Sequence, residues 1–403
     1  MKITIATTLI ILAYLNPCFS QLSDNWRGPE RDGKYPENNL SKVWPEKGPE
    51  IKWVYLDLGG GFSSPVVANE RLYVSGLEQG RGIIHILTLD GKPEKKVDYG
   101  PGWQGEFPGT RVSPTVVGEV MYIASGNGLL SAMDSKTGTV KWQKDLFTDL
   151  GGVNIRWGYT ENLLVDGDKI YCFPGGKEHN VVALNRHTGE IIWSSPAMGD
   201  ASAYCSPLLF EHNGRRLLAT HSSKNILGLD ATTGQLLWHY PHVNSWDVHP
   251  NTPIYSDGGI FFFSGYGQGS VKLNISSDGS SVTKAWENKT FDNQMGGAVL
   301  HDGHIYGSGH NNRFWFCVNW NSGETIWRSR ELAQGPVVMA DGMLYIYSER
   351  GELALVEPST EGIIIKGKSA VTHGSEQHWA HPVIHNGIMY IRHGNALVAY
   401  NVR

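Results

Sequence analysis

The sequence predicts an all-β fold: an eight-bladed β-propeller of four-stranded antiparallel blades, closed into a ring by its own N-terminal strand. Three observations carry this. One turn-and-tryptophan pattern recurs at fixed spacing. A second-strand position recurs every 39 to 49 residues. The composition is that of short strands and tight turns, with 49 Gly, 17 Tyr, 14 Trp and only 18% charged residues in 403. Turns use Gly, and strands use aromatic and β-branched residues.

The pattern reads Asp134-x-x-Thr137-Gly138-x-x-x-Trp142, then Asn185, Thr188, Gly189, Trp193, then Asp230, Thr233, Gly234, Trp238, then Asn319, Ser322, Gly323, Trp327. The Asp or Asn with its Gly makes a tight turn in which Gly takes positive φ. The Trp on the following strand packs against a neighbouring blade. The second-strand positions are Tyr73, Tyr122, Tyr171, Leu218, Phe262, Tyr306, Tyr345 and Tyr390. Such a period with four short strands is a propeller blade. Blades 1, 5 and 7 depart from the turn template, at Asp90-Gly91, Asp278-Gly279 and Pro358-Ser359. The eighth unit lacks its outer Trp strand. Ile51-Lys52-Trp53-Val54-Tyr55 supplies it, which removes two open sheet edges.

Residues 1–20 read as a secretory signal peptide: Lys2, an apolar run from Ile3 to Leu15 too short to span a bilayer, and small Ser20 before the cleavage point. Residues 21–49 are an N-terminal extension, and 50–403 the propeller. The expected location is the periplasm or the secreted fraction. Leu15 lies three residues before Cys18, but Asn16 and Pro17 fit a lipidation signal poorly, so an outer-membrane lipoprotein is less favoured. No later stretch is apolar and long enough to cross a membrane. The net charge of −5 and the absence of a basic stripe argue against nucleic acid. Cys172, Cys205 and Cys317 cannot all pair with one another, and strand patterns make Cys172 and Cys317 buried free thiols. The chain is expected to be a monomer.

The turn-and-Trp run resembles the tryptophan-docking motif of the pyrroloquinoline-quinone-like propeller family, over nearly the whole mature chain. Asn25-Trp26-Arg27-Gly28-Pro29-x-Arg31-Asp32-Gly33 resembles the start of an exported bacterial subgroup. The resemblance implies the ring, but the motif is structural and leaves function open. The family holds quinone-dependent alcohol and sugar dehydrogenases and also non-enzymatic scaffolds such as the outer-membrane protein assembly lipoprotein. Pyrroloquinoline quinone with calcium is therefore an implied cofactor. It is not favoured, because the vicinal disulfide of many such enzymes is missing and no compact Asp/Glu/Asn set for calcium stands out.

Loops entering the innermost strands converge at one mouth of a propeller's channel. Here they carry Arg111, Arg156, Trp157, Tyr204, Trp246, Asn251, His378 and Trp379 as candidate ligand contacts, and His249, His381 and Tyr204 as candidate proton-handling groups. Trp faces stack on sugars, Arg binds carboxylate or sulfate, and His titrates near neutral pH. The expectation is a saccharide or small polar ligand at the mouth, with or without catalysis. The alternatives are a quinone-dependent dehydrogenase and an assembly scaffold. His249, His378 and His381 follow no metal-ligand spacing, so no metal is predicted.

Overall fold

The computed structural model describes residues 26–403. The expected signal peptide, its expected cleavage point and Cys18 lie outside the described residues. Eight sheets surround a central channel, and the described residues contain no helix. Each blade is antiparallel, with its first strand innermost. Blade 2, for example, comprises Thr115–Val117, Val120–Ala124, Leu129–Asp134 and Val140–Asp145. Ring closure is as expected: Glu50–Tyr55 pairs antiparallel with Ala396–Asn401 and becomes the outer strand of blade 8. No helix among the described residues is long and apolar enough to cross a membrane.

The repeat has a physical meaning that the coordinates make explicit. In the turn, the Asp134 carboxylate accepts the amides of Lys136 (3.0 Å) and Thr137 (2.8 Å), and the Gly138 amide returns to the Asp134 carbonyl (2.9 Å). Asn185, Asp230 and Asn319 do the same. In three of these turns the Trp of the preceding blade lies on the Gly, whereas Gly138 faces Val97 of blade 1. A Cβ on Gly234 would stand 2.4 Å from the Trp193 ring, and its φ of +77° independently favours glycine. The indole N–H then reaches a backbone carbonyl beside the turn: Trp142 to Arg186 (2.9 Å), Trp193 to Ala231 (3.1 Å), Trp286 to Trp320 (2.9 Å), Trp327 to Ser359 (2.8 Å) and Trp53 to Leu89 (3.1 Å). A one-residue bulge precedes each of these Trp residues, at Lys141, Ile192, Ala285, Ile326 and Lys52, and re-aims the ring toward the next blade.

Trp286 plays this role although blade 5 departs from the template. Trp238 has the template but differs. The turn it should meet is the divergent Asp278-Gly279, and its indole N–H is buried without a partner. The register also refines the sequence alignment. In blades 4 and 5 the positions opposite the docking Trp row are Ala219 and Phe261, one residue from Leu218 and Phe262. In blade 7 the Trp position is Gly367. Trp44 of the N-terminal extension fills the gap. A Cβ on Gly367 would stand 2.4 Å from it, and its ring lies 6.1 Å from Tyr345, matching the 5.9 Å of Trp193 and Tyr171.

The rest of the extension stoppers the channel. Lys34–Tyr35 adds a parallel strand inside Val337–Ala340, the innermost strand of blade 7. Arg27 donates to the carbonyls of Gly296 (3.0 Å) and Ala298 (2.8 Å) in blade 6. Arg31 donates to Asn162 (2.6 Å) and Leu163 (2.9 Å) in blade 3. Burial lowers both guanidinium groups to about 10, so they stay charged at neutral pH. The three cysteines among the described residues are buried and free. His212 is buried and bonded to Tyr255 (3.0 Å) and the Ser276 carbonyl (2.8 Å).

Candidate functional site

At the channel mouth lies an open cavity of about 310 Å³. Its walls are the loops that enter the innermost strands of blades 1 to 6 and 8, plus the Tyr266 turn of blade 5. Seven aromatic residues line it: Trp26, Phe62, Phe107, Trp157, Tyr204, Tyr266 and Trp379. Trp379 is held between Phe62 (4.7 Å) and Phe107 (5.4 Å). Trp157 lies 6.3 Å from Tyr204. Among the described residues lining the cavity there is no Asp or Glu.

Arg111 is the one charged side chain of the lining. It is pinned by the carbonyls of Trp157 (2.8 Å), Glu106 (3.2 Å) and Phe107 (2.6 Å), and no carboxylate pairs with it among the described residues. Burial lowers it to about 10, so it carries its charge at neutral pH. Arg27 donates to His381 Nδ1 at 3.0 Å. An arginine has no acceptor, so that nitrogen holds the lone pair and the ring's proton sits on Nε2. Burial and the Arg27 charge hold His381 well below its ordinary value, as a neutral donor with Nε2 free of protein partners among the described residues. Tyr204, in a left-handed backbone conformation (φ +71°), accepts the Trp157 amide at 3.1 Å, and burial pushes its phenol to about 12.

The structure brings Arg111, Trp157, Tyr204, Trp379 and His381 into one cavity and leaves the other sequence candidates outside its lining. Arg156 and Trp246 form a rim. Arg156 lies 5.0 Å from Trp157 and 5.2 Å from Trp246, and pairs with Glu106 at 3.2 Å. Asn251 ties loops together, donating to the Asn293 carbonyl (2.8 Å) and accepting the Gly297 amide (3.1 Å). His378 stacks on His393 (3.8 Å) and bonds Tyr347 (2.5 Å).

His249 is buried in a stack with His221 (3.6 Å, 13° between planes), and His221 bonds His242 at 2.9 Å. Near-parallel rings do not aim their lone pairs at one ion, so this cluster reads as packing. Burial keeps His249 near 3 and His242 near 4, and holds His221 well below its ordinary value. Sequence reasoning missed Trp26, Phe62, Phe107 and Tyr266. Phe62 and Phe107 do carry a signal, since each stands shortly before a Ser-Pro that opens an innermost strand.

The flat aromatic lining and Arg111 suit a planar anion. Calcium and a carboxylate base are another matter: with no Asp or Glu in the lining, the residues do not fit pyrroloquinoline quinone held by calcium.

A family model described as outer membrane protein assembly factor BamB matches residues 38–143, 97–317 and 316–403. Outer membrane protein assembly factor BamB of Yersinia pestis is 22% identical over 301 residues, 70% of this chain and 71% of that protein. Tetrathionate hydrolase of Acidithiobacillus ferrooxidans is 25% identical over 258 residues, 57% of this chain and about half (49%) of that protein. Quinohemoprotein alcohol dehydrogenase from Comamonas testosteroni shares the fold, with a TM-score of 0.66 at 13% identity over 94% of this chain and 80% of that one. On its docking motif, its eight blades and the model's span, the chain belongs to the pyrroloquinoline-quinone-like propeller family described as outer membrane protein assembly factor BamB.

Proposed function

We propose that this propeller is an exported ligand-binding protein whose mouth holds a saccharide or other small polar ligand carrying an acid group. The observation that supports it is the composition of the cavity: seven aromatic residues around one unpaired guanidinium, with no carboxylate. Aromatic faces take a sugar ring, and Arg111 takes a carboxylate or sulfate. His381 and Tyr204 add neutral donors. Binding suits the geometry better than proton transfer, because Arg27 occupies His381 Nδ1 and leaves that ring no free base. The test is intrinsic fluorescence, since Trp26, Trp157 and Trp379 line the cavity. Galacturonate, a sulfated monosaccharide, tetrathionate and neutral glucose are titrated against the wild type, Trp379→Ala and Arg111→Gln. A response to an anionic member that both variants lose supports the reading. Flat titrations throughout, or unchanged variants, overturn it.

A second reading, a scaffold in outer-membrane protein assembly, is favoured by the description of the family and by the Yersinia relative. It expects co-purifying envelope proteins whose capture is indifferent to Trp379→Ala.

A further inference from the structure

Five exposed or half-buried arginines are neutralised. Arg71, Arg81, Arg156, Arg215 and Arg216 each pair with a carboxylate, at 2.5 to 3.2 Å. Arg313, Arg330 and Arg350 are exposed, and none has a carboxylate partner among the described residues. All three line one cavity of about 500 Å³ between blades 6 and 7. Its walls are the turn joining the second and third strands of blade 6, the corresponding turn of blade 7, and the loop from Arg330 to Gln334. Antiparallel pairing puts those turns at the end of the blade where the innermost strand begins, which is the mouth.

Two details keep the charge available. Arg330 lies 4.1 Å above the Phe314 ring, which orients the guanidinium without neutralising it. The one carboxylate of the lining, Glu349, receives the Gln334 amide at 2.7 Å and forms no ion pair with the three arginines among the described residues; burial raises it, against the pull of the Arg313 charge. The groove also lies next to the aromatic cup. A narrow cleft between them is lined at one side by Gln294 and Met295 of the cup and at the other by Gln334 and Glu349 of the groove.

We propose that blades 6 and 7 carry a second site, in which Arg313, Arg330 and Arg350 bind the acid groups of a uronate- or sulfate-bearing oligosaccharide whose terminal ring occupies the cup. This rests on the proposed function for the terminal ring, while the groove stands on its own arginines. Asn311 and Gln334 bring amide groups to the groove that suit hydroxyl-rich ligands.

The experiment is calorimetric titration of the purified protein with galacturonate, hexagalacturonate, a sulfated hexasaccharide and a neutral hexasaccharide. The variants are Arg313→Gln/Arg330→Gln/Arg350→Gln and Trp379→Ala. The wild type is expected to bind at least one acidic hexamer ten or more times tighter than galacturonate, with affinity falling as salt rises. The triple variant should lose that gain and keep galacturonate binding, and the arm that binds tells carboxylate from sulfate. A triple variant that binds the acidic hexamers like the wild type overturns the groove. So does a wild type that binds none of them, or binds the neutral hexamer equally well. If hexamer binding depends on the arginines but not on Trp379, the groove stands and the cup reading fails. The three arginines are exposed, and circular dichroism verifies the fold of both variants.

Discussion

The ring wall and the channel mouth of this molecule are built on opposite principles. In the wall, one interaction is repeated: an Asx turn, a positive-φ Gly and a Trp whose indole N–H meets the next blade. The Trp hydrogen bond recurs at five of the eight blade junctions, and at three of them, those of Trp142, Trp193 and Trp286, it meets the complete Asx turn with its Gly. At the mouth nothing repeats. Each loop brings a different side chain, and the cavity is defined by what is unpaired in it. The difference teaches that the motif carrying the family resemblance builds the wall and lies outside the lining of the mouth cavity, whereas the residues that could bind a ligand follow no period.

The largest effect expected from this contrast is in the wall. Trp193→Ala removes a buried indole and one of the two donors on the Ala231 carbonyl, leaving the Tyr171 hydroxyl (3.3 Å), a change of about 3–5 kcal/mol in stability. Denaturant unfolding measures it, and mouth ligands should bind the folded variant normally. The wall also offers an internal control. Trp193→Phe should cost more than Trp238→Phe by about 1 kcal/mol, the worth of one hydrogen bond, because the Trp238 N–H has no partner to lose. Equal costs would break the claim that docking depends on that bond.

Next in size is a pH effect set beneath the mouth. His221, His242 and His249 are held neutral by burial, with His249 near 3 and His242 near 4. The unfolded chain titrates them near 6.5 and so binds more protons below that pH. Stability therefore falls as pH drops from 6.5 toward the folded values, by about 1.4 kcal/mol per pH unit for each histidine. At pH 5, His249→Gln should recover about 2 kcal/mol of the acid loss, read as a shallower decline of melting temperature with pH. A parallel decline in wild type and variant would remove His249 from the account.

The same contrast explains what was legible in the sequence. Tyr73, Tyr122, Tyr171, Tyr306, Tyr345 and Tyr390 mark their blades correctly because each is buried at the same register position. Leu218 and Phe262 slipped by one residue because both strands are apolar on both faces, and apolarity alone does not say which face a side chain takes. The loops of the mouth were located because they are defined relative to the strands. Their separate roles were not. His249 and Trp157 look alike in sequence, each a ring in a loop before an inner strand. One is buried against His221 of the preceding blade and His242 of its own loop, and the other lines the cavity. The contribution of Trp26 and Arg27 was hidden for a related reason: the extension has no period, and only the channel's geometry brings it under the cup.

Within the mouth, lining and rim should separate. Arg111→Gln is expected to weaken an acidic ligand about tenfold or more, since a hydrogen bond to a charged group contributes about 1.5–3 kcal/mol. Trp246→Ala is the smallest change. Its ring is 46% exposed, 5.9 Å from Trp157, and outside the lining. Its partner pair, Arg156 with Glu106, is a surface ion pair that contributes at most about 1 kcal/mol. Loss of Trp246 should therefore shift affinity by about threefold or less, the scale of one weak aromatic contact, and leave stability unchanged. Fluorescence titration of Trp246→Ala beside Arg111→Gln reads the difference directly. If Trp246→Ala proves as damaging as Arg111→Gln, the ligand sits on the rim, and the boundary between lining and rim has to be redrawn around Arg156 and Trp246.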